Sequence, residues 1–96
     1  MSTYIVLGKL TQQGLQDVKE TPKRRDARMQ GAEALGITIR ENFLTMGSYD
    51  VVMVVDAPNS EALATFVLQA GMRGHLTTET LRAFNDDEVE RVVGAL

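Results

Sequence analysis

A chain of 96 residues, 44% of them hydrophobic and 24% charged, has the composition of a compact globular protein, which excludes a disordered or fibrous chain and predicts a single domain over residues 1–96. It has no cysteine and one histidine, which exclude a disulfide scaffold, a thiolate nucleophile and a cysteine-based zinc site, so no metal or cofactor is predicted. The formal net charge of −3 argues against a general binder of nucleic acid or of anionic membranes.

The first strand and the first helices are predicted from residues 4–36. Tyr4–Leu10 is apolar at both alternating sets of positions, which is typical of a central strand. Thr11 can cap a short helix, and a second helix is predicted to begin with Thr21-Pro22, a threonine cap followed by proline. That helix should reach Leu35, because Gly36 can adopt the left-handed conformation that often ends a helix.

A β-hairpin is predicted next. Gly47-Ser48-Tyr49-Asp50 has the length of a hairpin loop, and Val51–Val55 after it is apolar at every position, which predicts a second central strand. Before the loop, the segment Ile37–Met46 alternates as an edge strand does, with one face made of Ile37, Ile39, Glu41 and Phe43.

The last third of the chain predicts a helix, a strand and a helix. Pro58, Asn59 and Ser60 begin the first helix, whose buried stripe consists of Ala62, Leu63, Phe66, Val67 and Ala70. His75–Phe84 is rich in threonine and alternates, so it is predicted as the second edge strand. Asn85 and Glu88 are spaced as a capping box before a terminal helix with the apolar stripe Val89, Val92, Val93 and Leu96.

The order βαββαβ followed by a terminal helix predicts an α+β, ferredoxin-like sandwich with a four-stranded antiparallel sheet and the first and third strands in the middle. Two helices cover one face of such a sheet. Because Tyr4–Leu10 and Val51–Val55 are apolar on both faces, the other face should be covered by a second copy of the chain.

Several of these segments resemble one protein family. Gly47-Ser48-Tyr49-Asp50 leading into Val51–Val55, Asp56-Ala57-Pro58 before a helix, and Thr78-Glu79-Thr80-Leu81-Arg82-Ala83-Phe84 are similar to the GYD domain family over nearly the whole chain. The resemblance implies a ferredoxin-like fold of the kind found in dimeric α/β barrels, and it implies no particular activity.

The hairpin loop and the single histidine supply the first candidate ligand-binding residues. Tyr49 and Asp50 place a phenol and a carboxylate at a loop tip, where they either contact a ligand or stabilise the turn. His75 is the first choice for any proton transfer, with Glu79 two positions further along the same strand face to orient it. The alternative is a histidine that only caps the start of its strand.

The last strand supplies the other candidates. Thr78, Thr80 and Arg82 project to one side, and they are predicted to form a polar rim, either of a pocket between two paired sheets or of an interface. An arginine in such a pocket favours an anionic ligand. On the other edge strand, Ile37–Met46, Arg40 and Asn42 would extend this rim.

A cluster of positive charge surrounds the break between the first two helices. Because the net charge is negative and no aromatic residue is interleaved, a solvated helix face is favoured over a nucleic-acid site. Contact with the acidic residues 86–88 of a neighbouring subunit is a further interpretation. The cluster consists of Lys19, Lys23, Arg24, Arg25 and Arg28.

The leading functional hypothesis is a homo-oligomer, at least a dimer, that binds or senses a small organic molecule between its sheets. One alternative is a small cofactor-free enzyme, oxygenase- or isomerase-like, with Tyr49, Asp50, His75 or Arg82 acting on the substrate, although no catalytic motif is visible. The other is a structural module that assembles with other proteins. No apolar run approaches the length of a membrane span and no leader pattern is visible, so a cytoplasmic location is expected.

Overall fold

The computed structural model describes residues Met1–Leu96 and contains one four-stranded antiparallel sheet with four α-helices. The strand order is β2-β3-β1-β4, so the predicted ferredoxin-like arrangement is confirmed, including the central position of the first and third strands. In chain order, the elements are β1 (Ser2–Leu10), α1 (Gln12–Gln16), α2 (Thr21–Ala34), β2 (Thr38–Leu44), β3 (Val51–Ala57), α3 (Ser60–Met72), β4 (Leu76–Ala83) and α4 (Asp86–Gly94).

The helix ends follow local side-chain chemistry, with one exception. The side chain of Thr11 accepts the predicted capping hydrogen bond, Asn59 caps α3 within the predicted start Pro58–Ser60, and Asn85 forms the predicted capping box. Thr21 does not cap α2, so that prediction is wrong: it is the first residue of the helix, and its hydroxyl donates to the carbonyl of Val18 in the preceding 3₁₀ turn. That turn continues the chain almost directly into α2, which leaves no extended residue to act as a cap.

One face of the sheet forms the hydrophobic core with α2 and α3. At its centre Val6, Met53 and Val55 are completely buried. Helix α3 packs Leu63 and Phe66 onto this face, and α2 and the segment that follows it contribute Ala32 and Ile37. We call this face the covered face.

The opposite face has no helix over it. Its apolar side chains form two rows across the strands, because Ile5 pairs with Val54 and Leu81 while Leu7 pairs with Val52. Phe43 extends the second row on β2 and is 53% exposed. We call this the open face, and its apolar members are Ile5, Leu7, Phe43, Val52, Val54 and Leu81.

The alternation predicted for β2 is interrupted by a bulge. The pairing shifts between Ile39 and Glu41, so Arg40 is an extra residue with no partner in the register. Ile39 packs against the core, whereas Glu41 and Phe43 pair with open-face residues of β3. The prediction of one face for Ile39, Glu41 and Phe43 is therefore wrong, because one inserted residue reverses the alternation.

Helix α4 extends from the end of β4 and makes few contacts with the other elements. Its first turn carries three acidic residues, and the capping box holds its start. Its apolar stripe remains exposed, with Val92 54% and Val93 58% accessible. None of the four helices combines the length and the hydropathy that a membrane span needs.

Candidate functional site

The predicted ligand-binding residues lie in three separate places. Asp50 closes the base of the hairpin: its carboxylate accepts a hydrogen bond of 2.8 Å from the backbone N–H of Leu10, and its own N–H donates to the carbonyl of Gly8. Both partners belong to β1. Asp50 therefore satisfies backbone groups where β1 leaves the sheet, which is a stabilising role within the chain.

Tyr49 lies at an edge of the open face. Its hydroxyl donates to the Glu79 carboxylate at 2.5 Å, and the Lys9 ammonium stands 5.6 Å from the centre of its ring. The carboxylate beside the phenol raises the pKa of Tyr49, because loss of the phenolic proton would place two negative charges together. Tyr49, Lys9 and Glu79 form a polar group that borders the apolar rows, and we call it the tyrosine group.

His75 does not meet Glu79, contrary to the suggested pairing. Its Nε2 atom lies 3.2 Å from the Asp17 carboxylate, on the segment between α1 and α2. Two backbone contacts hold this junction: the N–H of Thr11 donates to the His75 carbonyl, and a Cβ on Gly14 would lie 2.3 Å from that carbonyl oxygen. Only glycine fits at position 14, so α1 approaches the start of β4 closely.

Hydrogen bonds keep Asp17 ionised. Gln13 donates to the carboxylate at 2.6 Å, and this bond, followed by the contact with His75, lowers the pKa of Asp17. The Nδ1 atom of His75 is buried and has no hydrogen-bond partner in the chain. A histidine held by a carboxylate at one nitrogen and unpaired at the other is oriented for contact with a third group.

The polar residues of β4 lie on the covered side of the sheet. Thr78 pairs with Gly8 and Thr80 with Val6, and Val6 is in the core. The two threonines and Arg82 therefore do not border the open face, where the sequence placed a pocket between paired sheets.

Arg82 already has partners within its own chain. It bonds the Glu88 carboxylate at 2.7 Å, donates to the backbone carbonyls of Thr3 and Ala83, and packs against the ring of Phe84. The hydrogen bond from Arg82 lowers the pKa of Glu88, and the Asn85 backbone adds to this effect. Arg82 thus fastens the start of α4 to β4.

One member of the basic cluster, Arg28, is buried, which was not predicted from the sequence. Arg28 is only 8% exposed, so the predicted solvated helix face does not include it. The signal was its spacing, since Arg28 precedes the buried Ala32 by four residues and so lies on the same side of α2. Its neighbours Lys23 and Arg25 are exposed as predicted.

Two apolar surfaces of the chain have no helix or strand over them: the open face with its tyrosine group, and the exposed stripe of α4. No group of three or more histidine, aspartate or glutamate side chains is arranged to hold a metal ion. Of the side chains considered for catalysis, Asp50 and Arg82 make structural contacts within the chain.

Two comparisons with known proteins found similar sequences. A family model described as "GYD domain" matches residues 4–93. Over 84 residues the chain is 31% identical to a Thermus thermophilus protein named "Glutamine synthetase and cystathionine beta-lyase binding protein", and the alignment covers 86% of this chain and 88% of that protein. No solved structure is significantly similar to the chain.

Proposed function

The chain belongs to the GYD domain family, and we propose that it is a homo-oligomeric module that binds other proteins, with metabolic enzymes as its partners. The observation that carries this proposal is the open face, on which six apolar side chains from all four strands lie together without a helix to cover them. An apolar surface of this kind usually marks an interaction site.

A second copy of the chain is the occupant that we assign to the open face. Burial of apolar surface contributes about 25 cal/mol per Å², so pairing a few hundred Å² stabilises the assembly by several kcal/mol. Two identical faces related by a two-fold axis bury the same patch on each copy, which is the commonest form of oligomer. Glu41 and Glu79 lie at opposite edges of this face and leave its centre apolar.

Binding of enzymes is supported by the Thermus thermophilus relative, which is named for binding a glutamine synthetase and a cystathionine beta-lyase. Once two open faces pair, the apolar stripe along α4 stays exposed, so we assign the enzyme contact to it. An exposed helix stripe is a common way to dock into a groove of a partner. A protein that binds such metabolic enzymes lies in the same compartment as they do, which supports the cytoplasmic location expected from the sequence.

A small organic ligand between two paired faces is the second candidate. The observation that favours it is the tyrosine group, which supplies a phenol, a cation and a carboxylate at the border of the apolar rows. The same group would serve a small enzyme of the dimeric-barrel type. Whether the molecule is a ligand or a substrate, Tyr49→Phe should abolish its binding and leave the oligomer intact.

The self-association is tested by sedimentation at micromolar concentration. Leu7→Lys and Val52→Lys each place a charge at the centre of the open face, and we expect the sedimenting mass to fall to that of one 10.6 kDa chain. The matched control is Gln30→Lys, an exposed position on α2, which should keep the native mass. A native protein that sediments as a single chain overturns the proposed oligomer.

The enzyme contact is tested by immobilising this chain and measuring the binding of purified glutamine synthetase from the organism that makes the chain. Val92→Glu on the stripe should weaken binding at least tenfold, whereas Arg91→Glu on its exposed neighbour should leave it within a factor of about three. If instead Val92→Glu dissociates the oligomer, α4 packs on the second copy and the assignment of the stripe to the enzyme is wrong.

A further inference from the structure

A small pocket lies between α2, α3 and the start of β4, on the covered side of the sheet and away from the surfaces already assigned. It holds about 220 Å³ of empty space, part of it open to solvent, and its enclosed end has room for one water-sized group. Its apolar floor is Ala70 and Leu76, both buried. We call it the arginine pocket, because its polar lining is Arg24, Arg28, Arg73 and His75.

None of these three arginines has a carboxylate partner. Three of the four ion pairs of the chain use other arginines, and the fourth joins His75 to Asp17. Arg24 donates to the backbone carbonyl of Asp17, and its charge helps to lower the pKa of the Asp17 carboxyl group. Three guanidinium groups therefore surround one small space that has no carboxylate in its lining.

Arg28 is the residue whose position needs an explanation. It is almost fully removed from solvent, with 8% exposure, and its Nε atom has no hydrogen-bond partner in the chain. Arg73 is explained without a ligand, since it caps the C-terminus of α3, where a cation is stabilising. Arg28 lies within α2 and has no such reason, and a largely buried guanidinium group with an unpaired N–H is destabilising.

We infer that the arginine pocket binds a small oxoanion, the phosphate or carboxylate group of a metabolite, whose oxygens accept hydrogen bonds from Arg28 and Arg73. Guanidinium groups bind both kinds of oxoanion through paired N–H donors, and a pocket floor of low polarity strengthens such bonds. The enclosed end takes one oxygen, and the solvent-open part takes the rest of the ligand.

His75 fits the same ligand. Asp17 occupies its Nε2 atom, while Nδ1 is buried without a partner. When both nitrogens carry protons, the ring is cationic and Nδ1 is a donor. The charged groups around the ring are then Asp17 on one side and Arg24, Arg28 and Arg73 on the other, so a bound anion reduces the excess of positive charge.

The experiment is calorimetric titration of the full chain with sodium phosphate and, separately, with sodium acetate, at an ionic strength held constant with sodium chloride. We expect saturable binding of at least one of them, and the stronger of the two identifies a phosphate or a carboxylate ligand. Arg73→Gln, at an exposed position, should weaken binding at least tenfold. The control Arg25→Gln removes a charge from α2 outside the pocket lining and should change the affinity less than twofold.

A second variant reports on Arg28 itself. Arg28→Met keeps most of the length of the side chain and removes the buried charge, so in chloride buffer it should melt no lower than the native chain, and phosphate or acetate should no longer raise its melting temperature. Oxoanions that stabilise the native chain no more than chloride at equal ionic strength overturn the inference. An equal loss of affinity in Arg25→Gln and Arg73→Gln overturns it as well.

Discussion

The two faces of the central strands have nearly the same chemistry and opposite surroundings. On the covered face, Val6 and Met53 are 0% exposed under the helices. At neighbouring positions of the same strands, Leu7 and Val52 lie on the open face, with no helix over them. The comparison shows that the apolar character of a β-residue predicts that something will cover it, and does not say whether this is the same chain or another.

The helices cannot cover both faces because of the connections. Each crossover from a strand to the next strand passes on the same side of the sheet, since right-handed connections place both helices on one face. Of the two remaining helices, α1 packs where β1 ends and β4 begins, and α4 follows the last strand and makes few contacts with the sheet. The chain's own helices therefore leave the open face uncovered, and the contrast between the faces can be tested with substitutions.

The largest expected effect is in the core. Met53→Ala removes a completely buried side chain and should lower the free energy of unfolding by about 2–5 kcal/mol, measured by chemical denaturation. Val54→Ala, the next residue on the open face, should cost less than about 1 kcal/mol at a concentration where the chains are separate. Equal losses at these two positions would mean that the open face is already covered within one chain.

The second prediction compares two glycines. Gly14→Ala forces a Cβ against the His75 carbonyl, 2.3 Å away, and should cost about 1–3 kcal/mol of stability. Gly71→Ala on the exposed side of α3 meets nothing within 4 Å and should stabilise the helix by up to about 1 kcal/mol. Thermal melts of the two variants should shift in opposite directions. A native-like melt of Gly14→Ala would show that α1 is not tightly packed against β4.

The smallest effect concerns the edge of the open face. Glu79 raises the pKa of Tyr49, so the folded state holds the phenolic proton more firmly than the unfolded state. Its contribution to stability is complete below the ordinary tyrosine pKa of 10.0 and is lost as the pH rises through the higher value in the folded protein. In an ultraviolet titration, Glu79→Gln should lower the midpoint of Tyr49. The control Glu41→Gln, at the other edge of the face, should not.

Much of the fold could be predicted from the sequence, because it depends on local patterns. The apolar run Val51–Val55 predicted a central strand, and the cap at Asn59 and the capping box at Asn85 marked the starts of two helices. The bulge at Arg40 was not predictable, because a register shift is decided by the fit of β2 to β3. The pairing of Tyr49 with Glu79 joins residues 30 positions apart, and no local pattern encodes such a contact.

The sequence by itself determined the order of the elements and the excess of apolar strand surface, since both follow from residue type and spacing along a few neighbouring positions. Only the tertiary structure decided which polar groups meet: that His75 faces Asp17, that Arg82 holds α4, and that Arg28 is buried among other arginines. The physical reason is that electrostatic and hydrogen-bond partners are selected by distances of a few ångströms between elements far apart in the chain, whereas burial preference is a property of each residue.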